Sequence, residues 1–302
     1  MAEHSSKFWR MGFIAHGHES FYDALFEGLR DLGYEEGRNL VVERRYAHGQ
    51  AERFNEFATE MVRLNADVIV VVTTPAAFAV LNATKTNPVV HPNAMNPLNT
   101  GLIASLAHPG GNLTGGAQLT AEVSAKRVEI LKRVLPDLTR TAVLYHPANP
   151  AVVFALQETN DAARVLGLTV LLHEVYGPSD FAHAFAEIAQ ERPHALLVLQ
   201  DAITMQHRSE IIDFAVQRRL PSIFQEKGWA EAGGLMAYGE DLPAMYRRAA
   251  YFVDRIFRGA KPADLPVEQA TKFDLTLNLR TARTIGVSFP ESFVALADQV
   301  IE

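Results

Sequence analysis

The stretch Asp67–Ala77, DVIVVVTTPAA, constrains the fold more than any other part of the chain. From Val68 to Thr73 every residue is apolar or β-branched, as in a strand buried on both faces of a parallel sheet. Helices must then cover that sheet on both sides. Thr73, Thr74 and Pro75 follow, and Ala76 to Lys85 has helical character, so small hydroxyls and free backbone N–H groups fall where strand gives way to helix. In open α/β sheets ligands bind at that edge.

The chain around it has the same rhythm. Trp9 to Ala15 predicts a first strand and His16–Ser20 a polar loop; Phe21, Leu25, Phe26 and Leu29 then mark one helical face that Gly33 ends. Asn39–Tyr46 predicts a strand, Ala51–Leu64 an amphipathic helix, and Val89–His91 a short strand followed by a loop, His91–Pro97. His108–Gly116 packs four glycines into nine residues, which suits a turn and hinge better than a strand interior. A lobe boundary is expected there. Beyond it, helices are expected at 121–134, 150–166, 180–190 and 204–219, and strands at 141–145, 169–175, 195–199 and 222–224. Gly233–Gly239 predicts a further strand, 242–258 a long helix, Pro262–Pro266 a linker and Phe273–Leu279 an edge strand. Arg280–Ile285 and Glu291–Ile301 are expected to close the chain as helices. Regular alternation of strand and helix implies parallel sheets with right-handed crossovers. The second half has the rhythm of the first without its sequence. Two lobes are expected, 8–115 plus 241–265 and 116–240 plus 266–302, with chain crossings that permit closing about a cleft.

Composition narrows the function. A chain of 302 residues, 48% hydrophobic and 21% charged, is long for one core and ordinary for two globular lobes. Its formal net charge is −7 and no Lys/Arg stripe is present, so nucleic acid is not expected as a partner. The absence of cysteine removes disulfides, thiolate metal sites and thiol nucleophiles. No segment has the ~18 apolar residues of a membrane span. MAEHSSKFWRM lacks the apolar centre of a secretory signal, which leaves a cytosolic protein or the processed part of an exported one.

Catalytic motifs are not found. The glycine cluster matches neither GxGxxG nor GxxxxGK[ST], there is no GxSxG elbow, and Ser20 reads as a helix N-cap. His16, His18, His91 and His146 fall in or beside strand-end loops without the spacing of metal ligands, so neither metal nor cofactor is expected. What remains is a set of loops at one edge of the sheets: His16 to Ser20 with Phe21; Thr73, Thr74, Pro75 and Ala76; Asn93 and Asn96; Tyr145 and Asn149; Asp201; Gln225 and Glu226; Tyr238. Short hydroxyls, amides, a few carboxylates and rings are what a small solute held between two lobes requires. Thr73, Thr74 and the N–H groups opening the next helix form a seat for a carboxylate, and Ser20 with the Phe21 N–H could form another. Tyr145 and Tyr238 could face a planar ligand, whereas Phe224 and Trp229 read as core. Asp201 or Glu226 would partner an amine if the ligand has one, and would be capped if it has none.

Several ordered blocks carry a resemblance. They are Phe21–Gly49, ADVIVVVTTPAAFAVLNATKTNPVV (66–90), TGLIASLAHPGGNLTGG (100–116), AVLYHPANP (142–150), the run from EAGGLMAYGED to LRTARTIG (231–286) and FPESFVALADQVIE (289–302). Together they resemble the ABC-transporter substrate-binding protein family that includes the TrpX-like tryptophan-binding proteins. The resemblance implies a type I periplasmic-binding-protein fold: α/β, two Rossmann-like lobes with parallel sheets and a ligand cleft between them. It also implies docking on an ABC permease with its ATPase, and export to the periplasm behind a leader that this chain lacks; a monomer is expected. Where the family has a Gly-Asp-Pro-Val-type turn, this chain has Met95-Asn96-Pro97-Leu98, an amide in place of a carboxylate, which favours a neutral or anionic solute. The expected function is binding, without catalysis, of a small carboxylate-bearing solute, aromatic by preference, such as an aromatic amino acid or aromatic acid. The alternative is a cytosolic ligand-sensing or regulatory domain of the same fold, and a doubly wound enzyme ranks below both.

Overall fold

The computed structural model describes residues 8–118 and 120–302. The expectation about a leader rests on the first eleven residues, of which 1–7 lie outside the described ones. Strand β1 (Trp9–Ala15) leads through a 3-10 turn at Ser20–Tyr22 into α1 (Asp23–Asp31). Then come β2 (Leu40–Tyr46), α2 (Arg53–Arg63), β3 (Val68–Val71), α3 (Thr74–Ala83), β4 (Val89–Met95) and β5 (Leu113–Gln118). A second series follows: α4 (Thr120–Val134), β6 (Arg140–Tyr145), α5 (Pro150–Val165), β7 (Thr169–Glu174), α6 (Phe181–Glu191) and β8 (Ala195–Val198). It continues with α7 (Ala202–Gln206), α8 (Arg208–Gln217), β9 (Ser222–Phe224), α9 (Lys227–Glu231) and β10 (Met236–Glu240). The chain ends with α10 (Leu242–Phe257), β11 (Glu268–Gln269), β12 (Phe273–Asn278), α11 (Leu279–Ile285), α12 (Glu291–Val294) and β13 (Gln299–Ile301). It divides into two compact units. The first has its opening stretch end at Gln118 and adds Leu242–Ala270; the second runs on to Asp241 and adds Thr271–Glu302.

The first unit holds a sheet of order β11-β5-β4-β3-β1-β2, parallel throughout. All four residues of β3 are fully buried, and they alternate between two cores. Val68 and Val70, with Met11 and Phe13 of β1, pack under α1 and α10 against Leu25, Tyr246 and Phe252. Ile69 and Val71 pack on the other face against Phe57 and Met61 of α2 and Ala77 and Val80 of α3. Burial on both faces is what the apolar run demanded, and each side chain contributes roughly 1.5–3 kcal/mol of transfer free energy. β4 is longer than expected. It continues through Pro92 to Met95 by way of a register shift between His91 and Ala94, so Asn93 lies in a strand and not in a loop. The glycine cluster is corrected for the same reason. Gly115 and Gly116 are interior to β5, where a Cβ would sit 2.1 Å from the His91 carbonyl oxygen and 2.2 Å from that of Pro92. The bulged backbone of β4 can pair closely only with a strand that has no side chains there.

The second unit holds the order β13-β12-β10-β9-β8-β6-β7, parallel except where β12 meets β10. Phe224 and Trp229 stack in its interior with ring centroids 4.6 Å apart, as their core reading required. Three expectations need correction. The tail ends in β13, paired parallel to β12, and not in a helix; β12 is therefore not an edge. The helix expected at 204–219 is two helices that meet at His207. Tyr238 and Gly239 lie within β10, because the antiparallel ladder with β12 extends the strand to Glu240.

Candidate functional site

Sheet order marks one switch point in each unit. In the first, β1 is flanked by β2 and β3, so the chain turns to opposite sides of β1 before and after α2. In the second, β6 is flanked by β7 and β8 in the same way. Such switch points open a crevice at the carboxyl ends of the strands, because the connections on either side diverge. The loops after β1 and β3 border the first crevice, and those after β6 and β8 the second.

In the first unit the loop after β3 works through a helix start. The Thr73 hydroxyl accepts a hydrogen bond from the Ala76 N–H at 3.3 Å and caps α3 with Pro75 inside the first turn. The cap occupies the Ala76 N–H, the Ala77 N–H goes to the Thr73 carbonyl, and Pro75 has none. Thr74, buried beneath this turn, is the position whose N–H the cap leaves over. Of the groups expected to seat a carboxylate here, the Thr73 hydroxyl and the Ala76 N–H are engaged with each other. Ser20 does not cap a helix. It is exposed and opens the 3-10 turn, whose cap position is Glu19, with no side-chain cap. Phe21 and Tyr22 start an aromatic cluster with Tyr246 of α10, centroids 5.2 Å and 5.1 Å from it, and the Tyr246 hydroxyl donates to Asn93 Oδ1 at 3.3 Å. Burial drives the Tyr22 and Tyr246 phenols well above their ordinary pKa, so both stay protonated donors. His16 is buried at the end of β1. His91 is buried inside β4, its Nδ1 accepting from the Asn93 N–H at 3.3 Å; burial pulls its pKa down to about 3, so the ring is neutral. Asn96 holds a left-handed backbone, φ 45°, and its carbonyl receives the Thr100 N–H and hydroxyl.

The second crevice is closed by side chains reaching across it. His146 Nδ1 lies 2.7 Å from Asp201 Oδ1, and Asn149 Nδ2 donates to Asp201 Oδ2 at 2.7 Å. Asn149 Oδ1 in turn accepts the Ala151 N–H and caps α5, while Asp201 Oδ1 accepts the Ile203 N–H and caps α7. Burial alone would raise the Asp201 pKa, but the bonds from His146, Asn149 and Ile203 outweigh it and hold the carboxyl below the usual range. Asp201 is an anion whose oxygens are already engaged. Glu226 likewise caps α9 through the Gly228 N–H at 2.7 Å. Asp201 thus has both oxygens bonded, and Glu226 has one in the α9 cap. Gln225 is buried immediately after β9.

The two tyrosines are turned elsewhere. The Tyr145 hydroxyl donates to Glu174 Oε1 at 2.7 Å, and burial and that bond together raise its pKa. Tyr238 lines a cavity of about 360 Å³ with Lys126, Ile130, Leu275 and Phe293, and stacks on Phe273. The structure thus joins His146, Asn149 and Asp201 in one cluster and Asn93 with Tyr246 and Phe21 in another, and leaves Tyr238 apart from both. Sequence reasoning missed three groups. His146 had been set aside with the other histidines, and Tyr246 sits in a helix far along the chain. Arg127 is a fully buried guanidinium whose Nε donates to the Tyr238 carbonyl at 2.8 Å, with burial pulling its pKa down to about 10. Only Arg127 left a signal: it falls on the apolar face of α4, between Ser124 and Leu131. Among the described residues no group of three or more His, Asp or Glu side chains is placed to hold a metal, and no helix is long and apolar enough to cross a membrane.

Comparison with known proteins places this geometry in a family. A conserved domain protein from Vibrio cholerae O1 biovar El Tor is 28% identical, with a TM-score of 0.92 over 97% of this chain and 100% of its own. An ABC domain from Streptococcus pneumoniae in complex with L-Trp is 23% identical, with a TM-score of 0.90 over 98% of this chain and 100% of its own. The tyrosine-binding protein of Clostridioides difficile strain R20291 is 23% identical over 86% of this chain and 75% of its own length. The fold is that of the type I periplasmic binding proteins. The model of the ABC transporter substrate binding protein family matches residues 12–301, so the chain belongs to this family of solute-binding proteins, which are not enzymes.

Proposed function

We propose that the protein is the solute-binding component of an ABC importer, acting in the periplasm as a monomer that delivers its solute to a permease driven by an ATPase. The two units serve as lobes that close on a small carboxylate-bearing ligand, preferably aromatic. The observation that carries this reading is the pair of switch-point crevices, each bordered by ordered polar groups: the Thr73-capped start of α3 in the first unit, the His146–Asp201–Asn149 cluster in the second. Phe21, half-buried against the buried Tyr22–Tyr246 pair near Asn93, supplies a ring for a planar solute. Relatives that bind tyrosine and L-Trp support the same solute class.

A thermal-shift screen over amino acids, aromatic acids, purines and small sugars tests the reading. A ligand at about 100 times its Kd adds about 2.7 kcal/mol of stability, enough for a shift of several degrees. Stabilisation by an aromatic acid or aromatic amino acid is expected, with the ligand recovered unchanged. Stabilisation only by sugars or purines, or chemical conversion of the ligand, overturns it.

A further inference from the structure

We infer that His146 is the residue of the second unit that receives the ligand's anionic oxygen, and that Asp201 and Asn149 are positioning residues for it. The inference rests on the solute class proposed above and names the group that selects it.

Three observations carry it. First, the ring is held from one side. Nδ1 lies against Asp201 Oδ1 at 2.7 Å, and the Asp201 side chain is only 5% exposed while that of His146 is 16% exposed. With Nδ1 committed to Asp201, Nε2 is the ring nitrogen that remains for a ligand. Second, the clamp is over-determined. Asp201 is fixed by Asn149 and the Ile203 N–H, and Asn149 is fixed by capping α5, so the ring plane has little freedom. An orienting carboxylate behind a histidine sets the tautomer: Nδ1 donates to Asp201 and Nε2 is left for a ligand. Third, the two loops at this switch point, 146–149 and 199–201, contain no lysine or arginine, and His146 is the residue in them able to turn cationic. Nε2, an acceptor in that tautomer, takes one proton from solvent as the carboxylate binds, so that Nε2–H donates to the ligand oxygen and the imidazolium stands between the ligand carboxylate and Asp201. A ligand amide or ester at the same place gains no such charge-assisted bond.

The test compares acids with their amides. L-tyrosine, L-tryptophan and benzoate, each against tyrosinamide, tryptophanamide and benzamide, are titrated calorimetrically into wild type and two variants. In His146→Asn the side-chain amide reaches the position of Nδ1 and can keep the bond to Asp201, but the Nε2 edge is gone. In His146→Gln the amide extends toward the position of Nε2 but is neutral. Wild type is expected to prefer an acid to its amide. His146→Asn is expected to melt near the wild-type temperature and to lose about 10- to 100-fold in affinity for the acid, with less than about threefold change for the amide. His146→Gln is expected to fall between wild type and His146→Asn for the acid. Equal losses for acid and amide in both variants, or undiminished acid binding by His146→Asn, overturn the inference and leave the proposed function standing. Failure of wild type to bind any of the acids overturns both.

Discussion

The two crevices reach the same end by different means. In the first unit the capping bond joins residues three apart, Thr73 and Ala76, within one strand-to-helix turn. In the second the bonds join residues 55 and 52 apart, His146 and Asn149 to Asp201, and tie two loops together. A local cap orders one turn of backbone and contributes about 1 kcal/mol. A network between loops also fixes the loops against each other, at the risk that losing one member strands the rest. The polar groups at the first crevice are therefore backbone and hydroxyl, and those at the second a ring clamped by a buried carboxylate.

The largest expected effect breaks the first unit beneath its crevice. In Gly115→Ala the new methyl would stand 2.1 Å from the His91 carbonyl oxygen, at a backbone φ of +134°. Neither the backbone clash nor the left-handed φ can be relieved by turning a side chain, so a loss of more than about 4 kcal/mol is expected. Urea titration measures it, and hydrogen exchange should place the loosening in β4 and β5. The matching test in the second unit is Gly239→Ala, whose methyl would stand 1.8 Å from the Gln225 carbonyl oxygen and should loosen β9 and β10 instead.

These glycines also show what could and could not be read from the sequence. The apolar run Val68–Val71 announced a strand buried on both faces, because hydrophobic pattern and burial are one phenomenon at that range. The helix-ending Gly33 was legible for the same reason, since it acts within one turn, whereas Thr73, read as part of a carboxylate seat, caps α3. Gly115 and Gly116 looked like a hinge because what requires them is the bulge in β4, some twenty residues upstream. β13 was missed because Gln299–Ile301, half-buried, becomes a strand only by pairing with β12. His146 carried no local mark. Its partner is 55 residues away, and a histidine in a loop acquires a role only when a buried carboxylate is placed behind it.

The units should also part company in acid. His91, neutral when folded with a pKa near 3, would in the unfolded chain take up a proton below about pH 6.5. Because the unfolded state then binds more protons, stability falls as pH is lowered, by about 1.4 kcal/mol per pH unit, or roughly 3 kcal/mol between pH 6.5 and pH 4. Asp201 behaves otherwise. Its folded pKa is depressed, so its contribution is present above the usual carboxylate range, about 3.9, and is lost only as pH falls below it. Over pH 6.5 to 4, hydrogen exchange in β1, β3 and β4 should accelerate more than in β6 and β8. His91→Gln should flatten the dependence in the first unit, and an unchanged slope would show that His91 is not its source.

Asp201→Ala tests the opposite side of the comparison. It removes the acceptor of His146, Asn149 and the Ile203 N–H together, and a loss of about 2–3 kcal/mol is expected from donors left without partners. Asp201→Asn keeps the shape and one acceptor oxygen, so it should cost less stability. If His146 meets an anion, Asp201→Asn should still weaken acid binding more than amide binding, because the charge behind the ring is gone. Equal effects on both ligands would make the cluster a loop staple and nothing more.

The smallest effects belong to the first unit's turn, and they separate its cap from its seat. Thr73→Ala removes the hydroxyl that accepts from the Ala76 N–H and should lower stability by about 1 kcal/mol, read as a shift of the melting temperature. Because the Thr73 hydroxyl is already engaged by the cap, affinity for the solute should barely change. Thr74→Val keeps the shape of a buried side chain and removes its hydroxyl. Stability should hold within about 0.5 kcal/mol, while affinity for the acid should fall by about 0.5–1.5 kcal/mol, roughly two- to tenfold, if that hydroxyl donates to the ligand carboxylate. Undiminished affinity in Thr74→Val would make the strand-to-helix turn purely structural. The second unit's ring would then carry the recognition of the anion alone.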